Sequence, residues 1–314
     1  MLQIVIVTIN KKGYEAFFKR LVIVGLSLTL ILPLGMTHTA SASSQKPIKV
    51  VTGLNFYGEV AKAVAGNQGK VTSFINNSSV DPHDYKPGIK QASQVEQANV
   101  VIENGIDYDH WMNRLVKSSD NKKNIKVVNV GSLMGKKVGD NEHIWYQPNT
   151  MKKFANKLAK DYGKIDPQHT DYYKQNAKKY IASLDQLDQK IAQVKSQVNP
   201  QKKEVAVSEP VFDYALKSLG YKVMDQHFEK TIEEGTDPSP KDIAQIQTAI
   251  KNHQIASFVD NTQASDHVVD NLVKLAKKNH VPVLKVTETK PSQKMTYTDW
   301  MMKQYQELSS IQQQ

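Results

Sequence analysis

The sequence predicts an α/β protein in which two α/β lobes, each with a mostly parallel sheet, are joined by one long rigid helix. Short apolar strands alternate with helical patterns early in the chain, a single long helical pattern follows, and the alternation then resumes. Such alternation is typical of parallel sheets that carry helices on both faces. We place the lobes at residues 43–165 and 199–314, and the linking helix at residues 166–198.

The N-terminal lobe begins after a short polar segment that ends at Pro47. Its strands are predicted from short apolar runs and its helices from apolar residues spaced three or four positions apart. The predicted strands span residues 48–52, 70–75, 100–102 and 126–130, and the predicted helices span residues 57–64 and 88–96, with a further helix from about Asn149.

The linking helix is predicted from apolar residues that recur every three or four positions between Tyr173 and Val194. Asp166-Pro167 suits the start of this helix, and Asn199-Pro200 suits its end. A helix over residues 166–198 would be roughly 48 Å long, which is longer than a small domain is wide. A free-standing coiled coil is the alternative, but the pattern has no second copy, so we interpret it as a spine between the lobes.

The C-terminal lobe repeats the alternation of strands and helices, and its helices have clear boundary signals. Gly220 is a helix stop, and the run from Asp237 to Pro240 is a helix start. The predicted strands span residues 204–207, 256–259 and 281–286, and the predicted helices span residues 211–219, 237–250, 267–278 and 297–308.

Residues 1–42 have the pattern of a secretory signal. Four basic residues between Lys11 and Arg20 precede an apolar run from Leu21 to Leu34, and Ala40-Ser41-Ala42 follows. The apolar run is shorter than the roughly 20 residues that span a bilayer comfortably. Cleavage after Ala42 and retention as an uncleaved anchor are both open, and either places the rest of the chain outside the cytoplasm.

The composition argues against several classes of protein. The chain contains no cysteine, which excludes disulfides, thiolate metal ligands and a lipid-modified cysteine in this sequence. Its net charge is +10, but the lysines are scattered among acidic residues, so we expect no nucleic-acid partner. It has no H-E-x-x-H helix, no G-x-S-x-G elbow and no glycine-rich phosphate loop, so we expect no enzymatic activity.

Two histidines lie in loops of the N-terminal lobe, where strands deliver their carboxyl ends. His83 belongs to the run from Asp81 to Pro87, and His143 belongs to the run from Asn141 to Tyr146. Open α/β sheets place their ligands at these strand ends, and imidazole is the commonest metal ligand. Either histidine alone is more simply a surface or capping residue, but together they indicate a metal site.

Carboxylates occupy equivalent places in the C-terminal lobe. Glu209, Asp260 and Glu288 each come within two residues of the end of a predicted strand. Each could equally cap a helix or face solvent. Two neutral imidazoles and two carboxylates would bind a divalent first-row ion with charges near balance, and this set suits Mn²⁺ or Zn²⁺ better than Ca²⁺ or Mg²⁺.

These motifs resemble the zinc/manganese class of substrate-binding proteins of ABC importers, also called solute-binding protein family 9. The D-P-H and N-x-H-x-W motifs together are fairly specific, and the resemblance covers roughly residues 47–310. The segments that carry it follow the family's order and spacing, and they are Asp81–Tyr85, Ala98–Gly105, Asn141–Trp145, Ser208–Phe212 and the tail from Val281 to Trp300.

The resemblance implies that a metal ion is held in the cleft between the two lobes. His83 and His143 match the family's two histidine ligands, and Glu209 matches its third position, which is histidine in many zinc-type members and glutamate in many manganese-type ones. The fourth ligand is usually an aspartate; Glu288 lies at that place in a different local motif, with Asp260 in reserve. The implied cargo is Zn²⁺ or Mn²⁺, the implied partner is an ABC transporter permease in the membrane, and we expect a monomer.

The chain departs from the family pattern in two respects. Members from Gram-positive bacteria are commonly lipoproteins, whereas this chain has no cysteine to lipidate. We therefore expect it at the cell surface through its N-terminal segment or its transporter, or secreted. It also has no His- and Asp-rich loop, which many zinc-type members carry, so manganese stays open. The alternative functions are a surface adhesin with the same fold and a zinc hydrolase, which would need an open coordination position.

Overall fold

The structure is a computed structural model that describes residues 46–76, 78–80, 82–83, 85–264 and 266–313. The predicted secretory segment, residues 1–42, lies outside the described residues, and so does the predicted cleavage position after Ala42. Among the described residues, no helix is both long enough and apolar enough to cross a membrane.

The N-terminal half, residues 46–165, is built on one parallel sheet. Its elements are β1 Ile48–Leu54, α1 Asn55–Ala65, β2 Gly69–Ile75, α2 Ile89–Glu96, β3 Val100–Glu103, α3 His110–Ser118, β4 Lys126–Asn129, α4 Val130–Leu133 and α5 Thr150–Ile165, with short 3₁₀ helices at Gly66–Gln68 and Ile144–Tyr146. The four strands are ordered β2-β1-β3-β4, and every neighbouring pair is parallel. All four predicted strands are present, whereas α3 and the short α4 were not predicted.

A helical connection of residues 167–196 leads out of this half. It consists of a 3₁₀ turn at Pro167–His169, α6 Thr170–Ser183 and α7 Asp185–Ser196. The sequence predicts one continuous helix, but the structure interrupts it at Leu184, whose φ of −87° and ψ of −6° stay close to helical values. The interruption lies where the packing partner changes, because α6 packs against α1 and α5 while α7 packs against the C-terminal helix.

The C-terminal half, residues 199–313, repeats the arrangement of the first. Its elements are β5 Glu204–Val207, α8 Asp213–Leu219, β6 Lys222–Val223, α9 Gln226–Glu233, α10 Pro240–Lys251, β7 Phe258–Asn261, α11 His267–Lys278, β8 Val283–Val286 and α12 Tyr297–Gln312, with a 3₁₀ helix at Pro210–Phe212. The strand order β6-β5-β7-β8 is that of the first sheet, and all pairs are parallel. Neither β6 nor α9 was predicted, and β7 lies two residues later than the predicted strand.

One cluster of aromatic side chains joins the two halves. The ring of Phe56 lies 5.1 Å from that of Trp145 and 5.6 Å from that of Trp300. The ring of Tyr146 lies 5.0 Å from Phe212 and 5.6 Å from Trp300. We call these five residues the aromatic belt. Because it draws on both halves, the larger hydrophobic core is shared between the two sheets.

The predicted fold class is confirmed, since two parallel α/β sheets are connected by a long helical segment. In each sheet the strand order reverses beside the first strand, β1 or β5. Loops that leave the carboxyl ends of strands at such a reversal form the usual ligand crevice of open α/β sheets. The fold therefore directs attention to the carboxyl edge of each sheet, which also carries the loops that follow β2, β4, β5 and β8.

Candidate metal-binding site

The four residues predicted as metal ligands lie together around one cavity of about 150 Å³. His83 follows β2 and His143 follows β4, while Glu209 follows β5 and Glu288 follows β8. Parallel strands deliver all their carboxyl ends to one edge of a sheet, and this places residues far apart in sequence side by side. The N-terminal half supplies the imidazoles, and the C-terminal half supplies the carboxylates.

His143 is fixed by hydrogen bonds and buried, with 1% of the residue exposed. Its Nδ1 lies 3.0 Å from Oδ1 of Asn141, which can only accept, so Nδ1 carries the proton and Nε2 keeps its lone pair. Nε2 lies 4.0 Å from Oε1 of Glu288. Burial, followed by the nearby His83, lowers the pKa of His143 to about 3. This imidazole is therefore neutral at physiological pH and ready to donate a lone pair.

Asn141 also ties the two halves together. Its Nδ2 donates to the carbonyl of Pro210 at 2.7 Å, and its own carbonyl accepts from the hydroxyl of Tyr214 at 2.7 Å. Its Oδ1 accepts a second hydrogen bond, from the backbone N–H of His143 at 2.8 Å. Since Pro210 directly follows Glu209, the residue that orients the histidine also contacts the segment that carries a carboxylate.

Tyr108 lies between the two imidazoles. Its ring centroid is 4.6 Å from that of His83 and 6.1 Å from that of His143, both in edge-to-face geometry. Its hydroxyl donates to Oε1 of Glu288 at 2.5 Å. His83 is the more accessible imidazole, with 37% of its side chain exposed, and its Nε2 lies 3.9 Å from Oε1 of Glu142. Tyr108 thus sets the spacing of the histidines and holds a carboxylate from the other half.

Glu209 is positioned by the strand next to its own. It directly precedes the 3₁₀ helix Pro210–Phe212, and its Oε2 accepts from Nδ2 of Asn261, the last residue of β7, at 2.5 Å. Asn261 is itself fixed, because its backbone N–H donates to the hydroxyl of Ser208 at 2.9 Å. A side-chain amide therefore holds the Glu209 carboxylate at the cavity wall, as Asn141 holds His143 on the opposite side.

Asp260, the reserve ligand, is placed differently from the expectation. The sequence predicts that it follows a strand, but it lies inside β7 and pairs in register with Lys285 of β8. Successive side chains of a strand point to opposite faces, so Asp260 faces away from Asn261 and Glu209. Asp260 is absent from the described residues that line the cavity. Burial raises its pKa, and the charge of Lys285 opposes that effect.

Two further carboxylates, which were not predicted from the sequence, lie close to His143. Glu233, the last residue of α9, lines the cavity, and its Oε1 lies 3.7 Å from Nδ1 of His143. Glu142, His143 and Glu233 can bring one ligand atom each to within 4.8 Å of one another. Burial, then the charges of Glu142, Glu209 and Glu288, raise the pKa of Glu233 to about 9.

A sequence signal existed for the helix that carries Glu233. Asp225 accepts the backbone N–H of Phe228 at 3.1 Å as an N-terminal cap, and Phe228 and Ile232, four residues apart, are both buried. This pattern of a cap and an i, i+4 apolar pair indicates a short helix. Nothing in it shows that Glu233 faces the histidines, because that contact depends on how the helix packs.

The arrangement suits a divalent cation. A buried imidazole with a fixed tautomer, a second imidazole and several carboxylates surround a cavity that is small and shared by both halves. Neutral nitrogen and charged oxygen donors of this kind favour first-row divalent metals. The fold and the site define a substrate-binding protein for a divalent metal ion.

The chain belongs to the family described as zinc-uptake complex component A, periplasmic (ZnuA), whose model matches residues 50–311. It is similar to the manganese-binding lipoprotein MntA of Halalkalibacterium halodurans, with 25% identity over 234 residues, 73% of this chain and 76% of the relative. It is also similar to the manganese ABC transporter substrate-binding lipoprotein PsaA of Streptococcus mitis, with 28% identity over 250 residues, 75% of this chain and 80% of the relative.

Solved structures show the same fold. The SBP FpvC of Pseudomonas aeruginosa in complex with Mn²⁺ matches with a TM-score of 0.67 and 19% identity, over 86% of this chain and 99% of that chain. A crystal structure of ZnuA matches with a TM-score of 0.64 and 19% identity, over 85% of this chain and 97% of that chain. This protein is thus the extracytoplasmic, metal-binding component of an ABC uptake system and not an enzyme, so the hydrolase alternative is set aside.

Proposed function

We propose that His83, His143, Glu209 and Glu288 bind one Zn²⁺ or Mn²⁺ ion and that the protein delivers this ion to the permease of an ABC importer. The observation that carries the proposal is the convergence of these four side chains on one cavity of about 150 Å³. Two neutral imidazoles and two carboxylates would balance the charge of a divalent cation. Because each half contributes two ligands, the bound ion would hold the halves together, as a cross-link does.

The nature of the donors leaves manganese and zinc as the cargo. Glu209 supports manganese, because carboxylate oxygens suit Mn²⁺ while zinc sites favour nitrogen and sulfur. Two relatives are named for manganese, MntA of Halalkalibacterium halodurans and PsaA of Streptococcus mitis. A third, MtsA of Streptococcus pyogenes, is named as an iron ABC transporter substrate-binding lipoprotein. Affinity in vitro will favour Zn²⁺ over Mn²⁺ whatever the cell supplies, so metal content must be measured in the cells of origin.

The protein would work as a monomer at the cell surface. With no cysteine in the sequence, a lipid-modified cysteine of this chain cannot anchor it there. We propose that residues 1–42 or the transporter itself retain it. A chain whose cargo site is shared by its own two halves needs no second copy to complete that site.

The test is elemental analysis of the protein purified from its own cells, beside a variant that carries His83→Ala and His143→Ala. We expect about one equivalent of Mn or Zn in the wild type and less than about a tenth of this in the variant, because two ligands are lost. A second double variant, His253→Ala with His267→Ala, removes two exposed imidazoles and is the matched control.

The control variant should keep its metal. A wild-type protein that holds no metal, even after it is supplied with Zn²⁺ and Mn²⁺, would overturn the proposal. Metal retained by the His83/His143 variant would show that the ion binds elsewhere.

A further inference from the structure

The four proposed ligands do not account for all the oxygen donors in the cavity. Glu233 lines the same cavity as His83, His143, Glu209 and Glu288. Its Oε1 is buried and has no hydrogen-bond partner among the described residues. A buried carboxylate oxygen without a donor is costly, so such a group calls for a physical reason.

Glu233 is carried by a well-anchored element. Helix α9 packs Phe228, which is fully buried, and Ile232, which is 7% exposed, into the smaller core of the C-terminal half. Asp225 caps the helix at its start. The backbone of Glu233 is therefore held in place, and only its side-chain torsions need to change for the carboxylate to move within the cavity.

The charges around Glu233 favour a cation at this point. Glu142 approaches it from the N-terminal half, within the 4.8 Å that encloses one ligand atom each of Glu142, His143 and Glu233. Lys230, one turn earlier on α9, lies 3.7 Å from Glu234 on the exposed side of the helix. Its charge also offsets part of the negative charge on Glu142 and Glu233, and a divalent ion beside His143 would stabilise these facing carboxylates further.

An added oxygen donor affects different metals differently. Zn²⁺ is satisfied by four ligands in a tetrahedron, and the four proposed ligands already provide them. Mn²⁺ prefers six ligands and accepts carboxylate oxygens readily. A fifth protein donor therefore adds more to the binding of Mn²⁺ than to the binding of Zn²⁺.

We propose that Glu233 is an additional cargo ligand, supplied by α9, that shifts the preference of the site from Zn²⁺ toward Mn²⁺. The inference rests on the proposed function, because it assumes that the ion binds between His83, His143, Glu209 and Glu288.

The experiment compares the dissociation constants for Mn²⁺ and Zn²⁺ of the wild type, Glu233→Gln and Glu233→Ala, each measured by competition with a chelator at one fixed pH near neutrality. We expect both variants to weaken Mn²⁺ binding about tenfold and Zn²⁺ binding less than about threefold. Glu234→Gln is the matched control, because it removes the same charge one residue later, from a side chain that is 57% exposed. The ratio of its dissociation constants for Mn²⁺ and Zn²⁺ should equal that of the wild type.

A second readout counts ligands directly. Water-proton relaxation of the Mn²⁺ complex should show about one more bound water in Glu233→Ala than in the wild type, because water takes the vacated position. Equal losses for both metals, no loss for either, or an unchanged water count would overturn the inference while leaving the proposed site intact. A wild type that binds neither metal would overturn the proposed function itself.

Discussion

The two halves of the molecule contribute different kinds of side chain to the cavity and hold them in different surroundings. In the N-terminal half, His143 is 1% exposed and lies against the rings of Tyr108 and Trp145. In the C-terminal half, the side chain of Glu288 is 16% exposed and that of Glu233 is 18% exposed. His143 is embedded in aromatic packing, whereas His83, with 37% of its side chain exposed, and the carboxylates keep some contact with water.

This difference follows from the cost of burial. A neutral imidazole with one satisfied hydrogen bond can be buried at modest cost, whereas a carboxylate loses far more solvation free energy. The N-terminal half can therefore hold its histidine in a finished position before the metal arrives. The carboxylates of the C-terminal half are costly to ionise together, since burial and the neighbouring carboxylates raise the pKa of Glu233 to about 9, so a bound cation stabilises that half more.

The difference between the halves should have its largest effect on how the free energy of unfolding of the metal-free protein depends on pH. Because the pKa of His143 is about 3 in the folded state, against about 6.5 when unfolded, only the unfolded state takes up this proton between those values. Stability linked to His143 is therefore complete above about pH 6.5 and is lost as the pH falls toward 3. Between pH 7.5 and 4.5 the wild type should lose about 2.5 kcal/mol more free energy of unfolding than His143→Gln.

Chemical denaturation with a chelator present, at both pH values, measures this difference. The comparison with His143→Gln cancels the titration of the other groups that both proteins share. Parallel losses in the two proteins would mean that His143 is not held neutral by its surroundings, and the contrast between the halves would lose its physical basis.

The next effect concerns the residue that orients His143. Asn141→Ala removes the acceptor for Nδ1–H, so the ring is free to turn or change tautomer, and we expect metal affinity to fall between about tenfold and a hundredfold. Asn141→Asp keeps an acceptor for Nδ1–H but loses the donor to Pro210. In a calorimetric titration with Mn²⁺, the affinity of Asn141→Asp should lie within about threefold of that of the wild type. If Asn141→Asp is as weak as Asn141→Ala, the link between the halves matters more than the histidine.

The smallest effect is expected at the corresponding residue of the C-terminal half. Asn261→Ala removes the donor to Oε2 of Glu209, but a half-buried carboxylate can take a hydrogen bond from water in its place. Metal affinity, measured by the same titration, should fall by about threefold or less. A loss as large as that of Asn141→Ala would show that the ligands of both halves need equally exact positioning.

Much of the architecture could be predicted because local sequence patterns determine it. The strands β1 to β5 and the helices α10 to α12 follow from apolar periodicity and from boundary residues such as Pro240, which lies in the first turn of α10. The elements that were missed are short or have few apolar residues. They include β6, which has two residues, and α4, which has four. Segments of this length depend on their neighbours for stability and leave weak patterns.

The sequence by itself determined the class of fold, the alternation of sheets around a long helical segment and the loops that hold His83, His143, Glu209 and Glu288. These features rest on periodicity and on the rule that parallel strands deliver ligand-binding loops to one edge. Whether those four residues act as ligands stays a prediction until metal content is measured.

Only the tertiary structure decided which other side chains reach the cavity. Glu233 faces His143 because α9 packs in one orientation, and Asp260 faces away because strand β7 is shifted, so that Asn261 points to Glu209 instead. The shared aromatic belt and the contact of Asn141 with Pro210 likewise join residues far apart in sequence. A one-residue difference in a strand reverses the face of every side chain, and the packing of a helix sets which of its residues meet another half, so neither can be read from local sequence.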